Sequence, residues 1–274
     1  MKALTMFLRS ARRRNETPSG HIALVGAGPG ARDLMTLRAV ERLQQADVVF
    51  YDRLVNEEVL ELARPDAERV FVGKHVGAHP WPQERINEAI VAEALKGRRV
   101  VRLKSGDPGV FGRAGEEITA ARAAGVPVEL VPGVTAASAA GAALGRSLTE
   151  RGVANTLVLA TGTGCSEEPE PDCTRLAGPG TTTAFYMSVR QAARISSALI
   201  AQGLPRDTEI DIAVDVEKAG QQLLKARVSD LAETLAAHTV TGCAILLVTW
   251  PEAVAVARTS TDENASELSV VTAA

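Results

Sequence analysis

Aromatic residues make up only 3% of this 274-residue chain: two Trp, two Tyr and five Phe. That scarcity removes the stacking platforms on which single-stranded nucleic acid is held. Positive charge is not in excess either. Lys and Arg total 30 against 33 Asp and Glu, a net charge of −3, whereas a protein that coats DNA or RNA carries a basic surplus. Cysteine is nearly missing, with only Cys165, Cys173 and Cys243 and no C-x-x-C pair. An odd, scattered set argues against a disulfide framework or a zinc cluster and fits a reducing, cytoplasmic setting. No apolar run approaches the ~18 residues that suggest a membrane span. His75 and His79 are four apart but sit in a Gly/Pro-rich stretch without a third ligand, so no metal site is expected.

What is present is an ordinary globular composition, 46% hydrophobic and 23% charged. Residues 1–20 carry Lys2, Arg9, Arg12, Arg13 and Arg14 around a short apolar patch. The patch is shorter than a secretory core and no A-x-A site follows it, so a flexible basic extension is expected. From His21 the pattern changes. Short apolar runs at 21–25, 48–51, 69–72, 100–103 and 126–131 alternate with helical periodicity. Leu34, Leu37, Val40 and Leu43 mark one helix, with Asp33 as its expected N-cap. Pro82 opens another with the stripe Ile86, Ile90 and Ala94. Five strand–helix alternations predict a mostly parallel sheet covered on both faces. Such sheets bind ligands at the carboxyl ends of their strands.

The second half reads differently. Strands are expected at 156–160, 182–187, 209–214, 223–228 and 244–249, with helices at 191–202 and 231–237. Two successive strands without a helix between them predict a mixed sheet. The expected organisation is an α/β domain over 21–151, a second α/β domain over 152–250, and a polar, disordered tail over 251–274.

The loop Gly26-Ala27-Gly28-Pro29-Gly30-Ala31 overlaps the dinucleotide fingerprint G-x-G-x-x-G/A, and Asp52 ends the next strand. A nicotinamide- or flavin-dependent oxidoreductase is one reading of that loop. Pro29 weakens it, because the fingerprint aims backbone N–H groups at a pyrophosphate and proline has none.

Further segments follow in order. They include Ala46 to Val55, Val72 to Lys74, Pro82-Gln83, Arg99 to Lys104, Gly106-Asp107-Pro108 and Phe111-Gly112-Arg113. Gly115 to Glu117, Val131 to Ala136, Leu148-Thr149 with Arg151, and Phe185 to Met187 complete the series. In these segments the chain resembles the tetrapyrrole methylase family from about Ile22 to Trp250. The resemblance implies two α/β domains with the ligand cleft between them, a homodimer, and no nucleic-acid or membrane partner. It implies S-adenosylmethionine as the cofactor, with S-adenosylhomocysteine as its product. The implied reaction is C-methylation of uroporphyrinogen III, through precorrin-1 to precorrin-2, for sirohaem, cobalamin or haem d1 biosynthesis.

On family positions, Pro29, Ser105, Gly106, Asp107, Val110, Thr135, Ala136 and Met187 are expected to bind the cofactor. Arg53, Arg113, Glu116 and Arg151 are expected beside a substrate rich in carboxylates, which guanidinium groups bind well. Asp52 and Lys74 are the implied acid/base pair, and Arg113 with Glu116 is the competing catalytic assignment. Arginine is a poor base, so Asp52 is the favoured one and Arg113 a clamp. A helix cap or a ribose contact is the plainer role for Asp52. Several positions depart from the family pattern. Ser105 stands where glycine is usual, Glu150 where histidine is usual, and Ser188 where glycine is usual. The family's Glu-x-Gly-Thr turn is not recognisable over residues 214–220. A methyltransferase for a later precorrin and a non-catalytic tetrapyrrole-binding homologue therefore stay open.

Overall fold

The computed structural model describes residues 20–73, 81–164 and 171–252. Most of the basic extension and the tail, together with Lys74, His75, His79 and Cys165, lie outside the described residues. The chain divides into two compact units, Met1–Thr135 and Ala136–Ala274.

The first unit is built on β1 (His21–Gly26), β2 (Val48–Tyr51), β3 (Glu68–Phe71), β4 (Arg99–Lys104) and β5 (Val128–Val131). Their order is β3-β2-β4-β1-β5 and every pairing is parallel. The connections carry α1 (Leu37–Gln45), α2 (Glu57–Leu60), α3 (Gln83–Leu95) and α4 (Ala114–Ala123). Alternation along β1 sends Ala23 and Val25 to the layer holding Ala39 and Leu43 of α1. Ile22 and Leu24 go to the layer holding Ile86 and Ile90 of α3 and Ala121 of α4. A strand buried on both faces reads as an unbroken apolar run, as Ile22 to Val25 does. Because the strands are parallel, all five end at one sheet edge.

The start of α1 differs from expectation. Residues Arg32–Leu34 form a separate 3₁₀ turn, and the helix is capped by Thr36, whose Oγ1 accepts the Ala39 N–H at 3.2 Å. The later start rotates the stripe. Leu37 is 90% exposed, whereas Leu43 is buried as expected, Val40 packs against the core, and Met35 and Ala39 join it. Pro82 does precede α3, and Ile86, Ile90 and Ala94 are its buried side.

The second unit holds α5 (Ala136–Ala143), β6 (Thr156–Thr161), β7 (Thr181–Tyr186), α6 (Ala192–Ala201) and β8 (Glu209–Val214). It continues with β9 (Gln222–Arg227), α7 (Leu231–Ala237) and β10 (Ala244–Trp250). The sheet order is β6-β7-β10-β8-β9, mixed as expected, with β6 and β7 parallel and the other pairs antiparallel. One face packs Phe185, Ile212, Leu246 and Val248 against Ile195 and Leu199 of α6 and Leu231 of α7. The units part at 135/136, ahead of the boundary expected at 151, because α5 is tied to the second sheet. The Ala137 N–H donates to the Tyr186 hydroxyl at 2.9 Å, and Arg146 beyond α5 pairs with Asp211 and Thr249.

Candidate functional site

Three loops of the first unit close on one another at the carboxyl ends of β1, β4 and β5. The Ala27 N–H donates to the Lys104 carbonyl at 2.8 Å, and Gly28 and Gly106 exchange backbone bonds of 3.3 and 2.6 Å. The approach admits no side chains. A Cβ on Gly133 would lie 2.3 Å from the Gly106 oxygen, and one on Gly26 would lie 2.6 Å from the Gly133 nitrogen. The three loops are therefore packed backbone against backbone, an approach that glycine permits. Asp107 braces this cradle: Oδ1 accepts from Gly109 N–H at 2.7 Å and Oδ2 from Gly133 N–H at 3.1 Å. An ionised carboxylate has about four acceptor positions, so each oxygen keeps one.

Beside the cradle lies a buried charge cluster. Arg102 and Lys104 occupy alternate positions of β4 and point to the same side. Lys104 Nζ donates to both oxygens of Glu117 at 2.9 and 3.0 Å. Arg102 donates from Nε to Glu117 at 3.3 Å, from Nη1 to the Leu103 carbonyl at 2.8 Å, and from Nη2 to Asp52 Oδ2 at 3.2 Å. Gln83 on α3 donates to Glu117 at 3.2 Å. The Glu117 side chain is 0% exposed and that of Asp52 is 26% exposed, so the cluster reaches solvent through Asp52. Burial, with the neighbouring Arg102 cation, pushes the Lys104 ammonium below the usual lysine range despite Glu117. Asp52 has a second contact: its Oδ1 accepts the Leu54 N–H at 3.0 Å, a turn-forming bond.

The segment from Pro108 to Arg113 is tightly wound. Phe111 and Arg113 take left-handed φ of 52° and 55°, uncommon for residues with a Cβ. Arg113 precedes α4 and donates from Nε and Nη2 to the two oxygens of Glu116, at 2.7 Å each. The hydrogen bond from Arg113 holds Glu116 below the usual carboxylate range. This is the two-pronged geometry in which a guanidinium grips a carboxylate. Both side chains are about half exposed. Arg53 is exposed after β2, and its backbone nitrogen lies 3.0 Å from where a Cβ of Gly73 would sit.

In the second unit β6, β7 and β8 end at one sheet edge, since β10 runs antiparallel to both β7 and β8. Met187 follows β7 there, 52% exposed and at φ 51°. Its carbonyl accepts the Thr163 hydroxyl at 3.0 Å. Tyr186, one residue before, reaches the Ala137 N–H with its hydroxyl and so ties the start of α5 to the end of β7. Asp215 and Glu217, just after β8, are also left-handed, at φ 44° and 61°. Backbone strain of this kind is common where ligands are clamped.

A family model for tetrapyrrole (corrin/porphyrin) methylases matches residues 21–232. The chain belongs to the tetrapyrrole methylase family. Among curated relatives, the siroheme synthase of Edwardsiella ictaluri is 44% identical over 228 residues, covering 83% of this chain and 49% of that protein. The siroheme synthase of Yersinia pestis is 45% identical over 216 residues, covering 79% and 46%. This tetrapyrrole methylase thus spans about half the length of the curated relatives it matches. Among solved structures, uroporphyrin-III C-methyl transferase of Thermus thermophilus, complexed with S-adenyl homocysteine, superposes with a TM-score of 0.71 and 35% identity over 84% of this chain and 92% of that one. The cobalt precorrin-4 methyltransferase CbiF gives a TM-score of 0.76 and 28% identity over 87% and 98%.

Within this tetrapyrrole methylase, Pro29, Ser105, Gly106 and Asp107 gather at the glycine cradle, and Val110 follows in the next turn. Thr135 ends the first unit. Arg151 is exposed in a turn of the second unit, between the bridged Glu150 and Ala154. Ser105 causes no backbone strain. The left-handed residue is its neighbour Gly106, at φ 69°, and Ser105 is absent from the non-glycine residues with positive φ. Sequence reasoning passed over Arg102, Lys104, Glu117, Gln83 and Tyr186. One signal was available: Arg102 and Lys104 are charges in a central strand, and a buried charge requires a partner.

Proposed function

We propose that this chain methylates uroporphyrinogen III with S-adenosylmethionine, forming precorrin-2 by way of precorrin-1. The observation that carries the reading is the side-chain-free cradle at the ends of β1, β4 and β5, in a chain 35% identical to a uroporphyrin-III C-methyl transferase. The cradle suits a ligand that lies against backbone, and Asp107 keeps acceptor positions for hydroxyl or ammonium hydrogens. Pro29, Ser105, Gly106, Val110 and Thr135 would hold the cofactor in the first unit, and Ala136 and Met187 in the second. Met187, apolar and polarizable, suits packing on adenine. When bound, S-adenosylmethionine supplies a methyl group activated by a sulfonium, so the residues need only align and deprotonate.

In this reading Arg53, Arg113 and Arg151 pair with substrate carboxylates, and Glu116 holds the Arg113 fork in position. Asp52 accepts the proton that the macrocycle must lose once the methyl group has been added, because it is the one member of the charge cluster open to solvent and able to accept. Lys74 is its acid partner on the sequence alone. The protein is further proposed to be a cytoplasmic homodimer serving sirohaem or a related pathway. No helix among the described residues is long and apolar enough to cross a membrane, and no cluster of metal-ligating side chains occurs among them.

Anaerobic incubation of the pure protein with methyl-labelled S-adenosylmethionine and uroporphyrinogen III tests the reading. Two labels per macrocycle are expected, and an unlabelled macrocycle sinks it. The likeness to CbiF over 98% of that chain favours a second reading, a later precorrin as substrate. A panel of precorrins separates the two by relative kcat/KM.

A further inference from the structure

Of the charge cluster around Glu117, Asp52 is the member that reaches solvent. Glu117 is fully buried on α4. The groups facing it are Arg102 and Lys104 from β4 and Gln83 from α3, itself bonded to Asn87, and Asp52 closes the cluster from the end of β2. Two cations and two carboxylates balance. Such a buried set is weak as a stabilising device, since desolvation offsets most of the Coulomb attraction and apolar replacements often serve as well. Its geometry is directional, however. Arg102 has Nε bound to Glu117 and Nη1 bound to the Leu103 carbonyl. A planar fork fixed at two donors has its third donor fixed as well, and that donor, Nη2, meets Asp52 Oδ2. The other oxygen of Asp52 is held by the Leu54 N–H. Asp52 is thereby oriented from both oxygens, one of them through a guanidinium that Glu117 holds.

We propose that Glu117 is a positioning residue for Asp52, acting through Arg102, and that Lys104 and Gln83 hold Glu117 in turn. The inference rests on the reading of Asp52 as the base. Glu117→Gln keeps the shape and removes the charge, leaving Asp52 as the one carboxylate against Arg102 and Lys104. The Arg102 fork keeps the Leu103 carbonyl but loses its ionic anchor at Nε.

The test uses the full chain and methyl transfer to uroporphyrinogen III. Asp52→Asn is expected to lower kcat by ~10²–10⁴-fold, the range for a general base. Glu117→Gln is expected to lower kcat by about tenfold or more with both KM values nearly unchanged, the signature of an interaction needed in the transition state. The double variant should be no slower than Asp52→Asn alone, since residues that act as a unit are non-additive. Multiplicative losses, an unchanged kcat in Glu117→Gln, or an effect confined to KM each overturn the proposal. Should Glu117→Gln fail to fold, Arg102→Lys carries the test. It keeps the charge and loses the fork, and the same selective loss of kcat is expected. If Asp52→Asn keeps the full kcat, the base assignment fails and the positioning role falls with it. If Asp52→Asn is slow and Glu117→Gln is not, the positioning role alone is wrong.

Discussion

Asp107 and Gly133 tie two strand-end loops together: the Gly133 N–H donates to Asp107 Oδ2 at 3.1 Å, while Oδ1 takes the Gly109 N–H at 2.7 Å. One carboxylate therefore sets the spacing of the loops after β4 and β5. Asp107→Ala leaves two backbone donors without their acceptor, so a loss of ~1–3 kcal/mol is expected in urea unfolding. S-adenosylhomocysteine affinity, measured by calorimetry, should fall at least about tenfold, or ~1.4 kcal/mol. Lower stability with unaltered affinity would remove Asp107 from the cofactor site and leave it as a loop brace.

The cradle makes a steric prediction. Gly133→Ala places a Cβ 2.3 Å from the Gly106 oxygen and 2.9 Å from the Gly26 Cα, backbone atoms that cannot step aside. A destabilisation of ~1–3 kcal/mol is expected, with weaker cofactor binding. Gly115→Ala is the contrast. Its Cβ meets nothing within 4 Å and lies in α4, so unfolding should show a gain of up to ~1 kcal/mol.

Arg113 is half exposed and pairs with Glu116 three residues on, a surface ion pair. Its removal should therefore alter stability by no more than ~1 kcal/mol. Substrate KM should rise in Arg113→Ala and lose part of its salt dependence, while S-adenosylhomocysteine affinity stays constant. Steady-state kinetics at two ionic strengths check this. Identical KM and kcat would take Arg113 out of the site.

Asp47 gives a pH dependence far from the site. Its carboxylate accepts the Arg99 N–H at 2.8 Å, Arg99 Nη2 at 2.8 Å and Arg64 Nη2 at 3.1 Å. The hydrogen bonds from the Arg99 side chain, above all, hold it far below the usual carboxylate range, against the opposing effect of burial. A carboxyl group depressed in the folded state contributes stability above its unfolded value, near ~4, and loses it as pH falls. Asp47→Asn should thus be less stable than the parent at pH 7, by ~1–3 kcal/mol for a charged hydrogen-bond acceptor. The gap should begin to narrow below pH ~4. A constant gap down to strong acid contradicts the assignment.

Glu217 sits at φ 61° with its N–H bonded to Gln221 Oε1 at 2.8 Å. A left-handed residue with a Cβ costs ~1–2 kcal/mol, part of which glycine returns as unfolded-state entropy. Glu217→Gly should raise stability by up to ~1 kcal/mol, and Glu217→Ala should not. Thermal unfolding of both variants decides the matter.

Much of this molecule is legible in its amino-acid order. Alternating strands and helices in the first half give the parallel sheet, and two consecutive strands in the second half give the mixed one. Both rest on local burial, which prints a period of 2 or 3.6 on the chain. Asp33 and Thr36 are both capping types, and the side chain that bonds a helical N–H is that of Thr36, so α1 starts later than Asp33 alone would place it. The turn after β8 carries Glu217 as its third residue, so no glycine marks that position in the sequence. Its backbone nevertheless adopts the left-handed conformation that a glycine would favour.

The sequence by itself determined the two α/β units, because hydrophobic period is a property of neighbouring residues, and it showed the family through its resemblance in a series of short ordered segments. It could not reveal that Asp52 is held by Arg102, fifty positions away, or that Glu117 lies wholly buried beneath both cations of β4. Nor could it show that Met187 is turned outward at a left-handed φ. The partner of a buried charge is chosen by which strands adjoin and which helix covers them. Only the packed tertiary structure sets those neighbours.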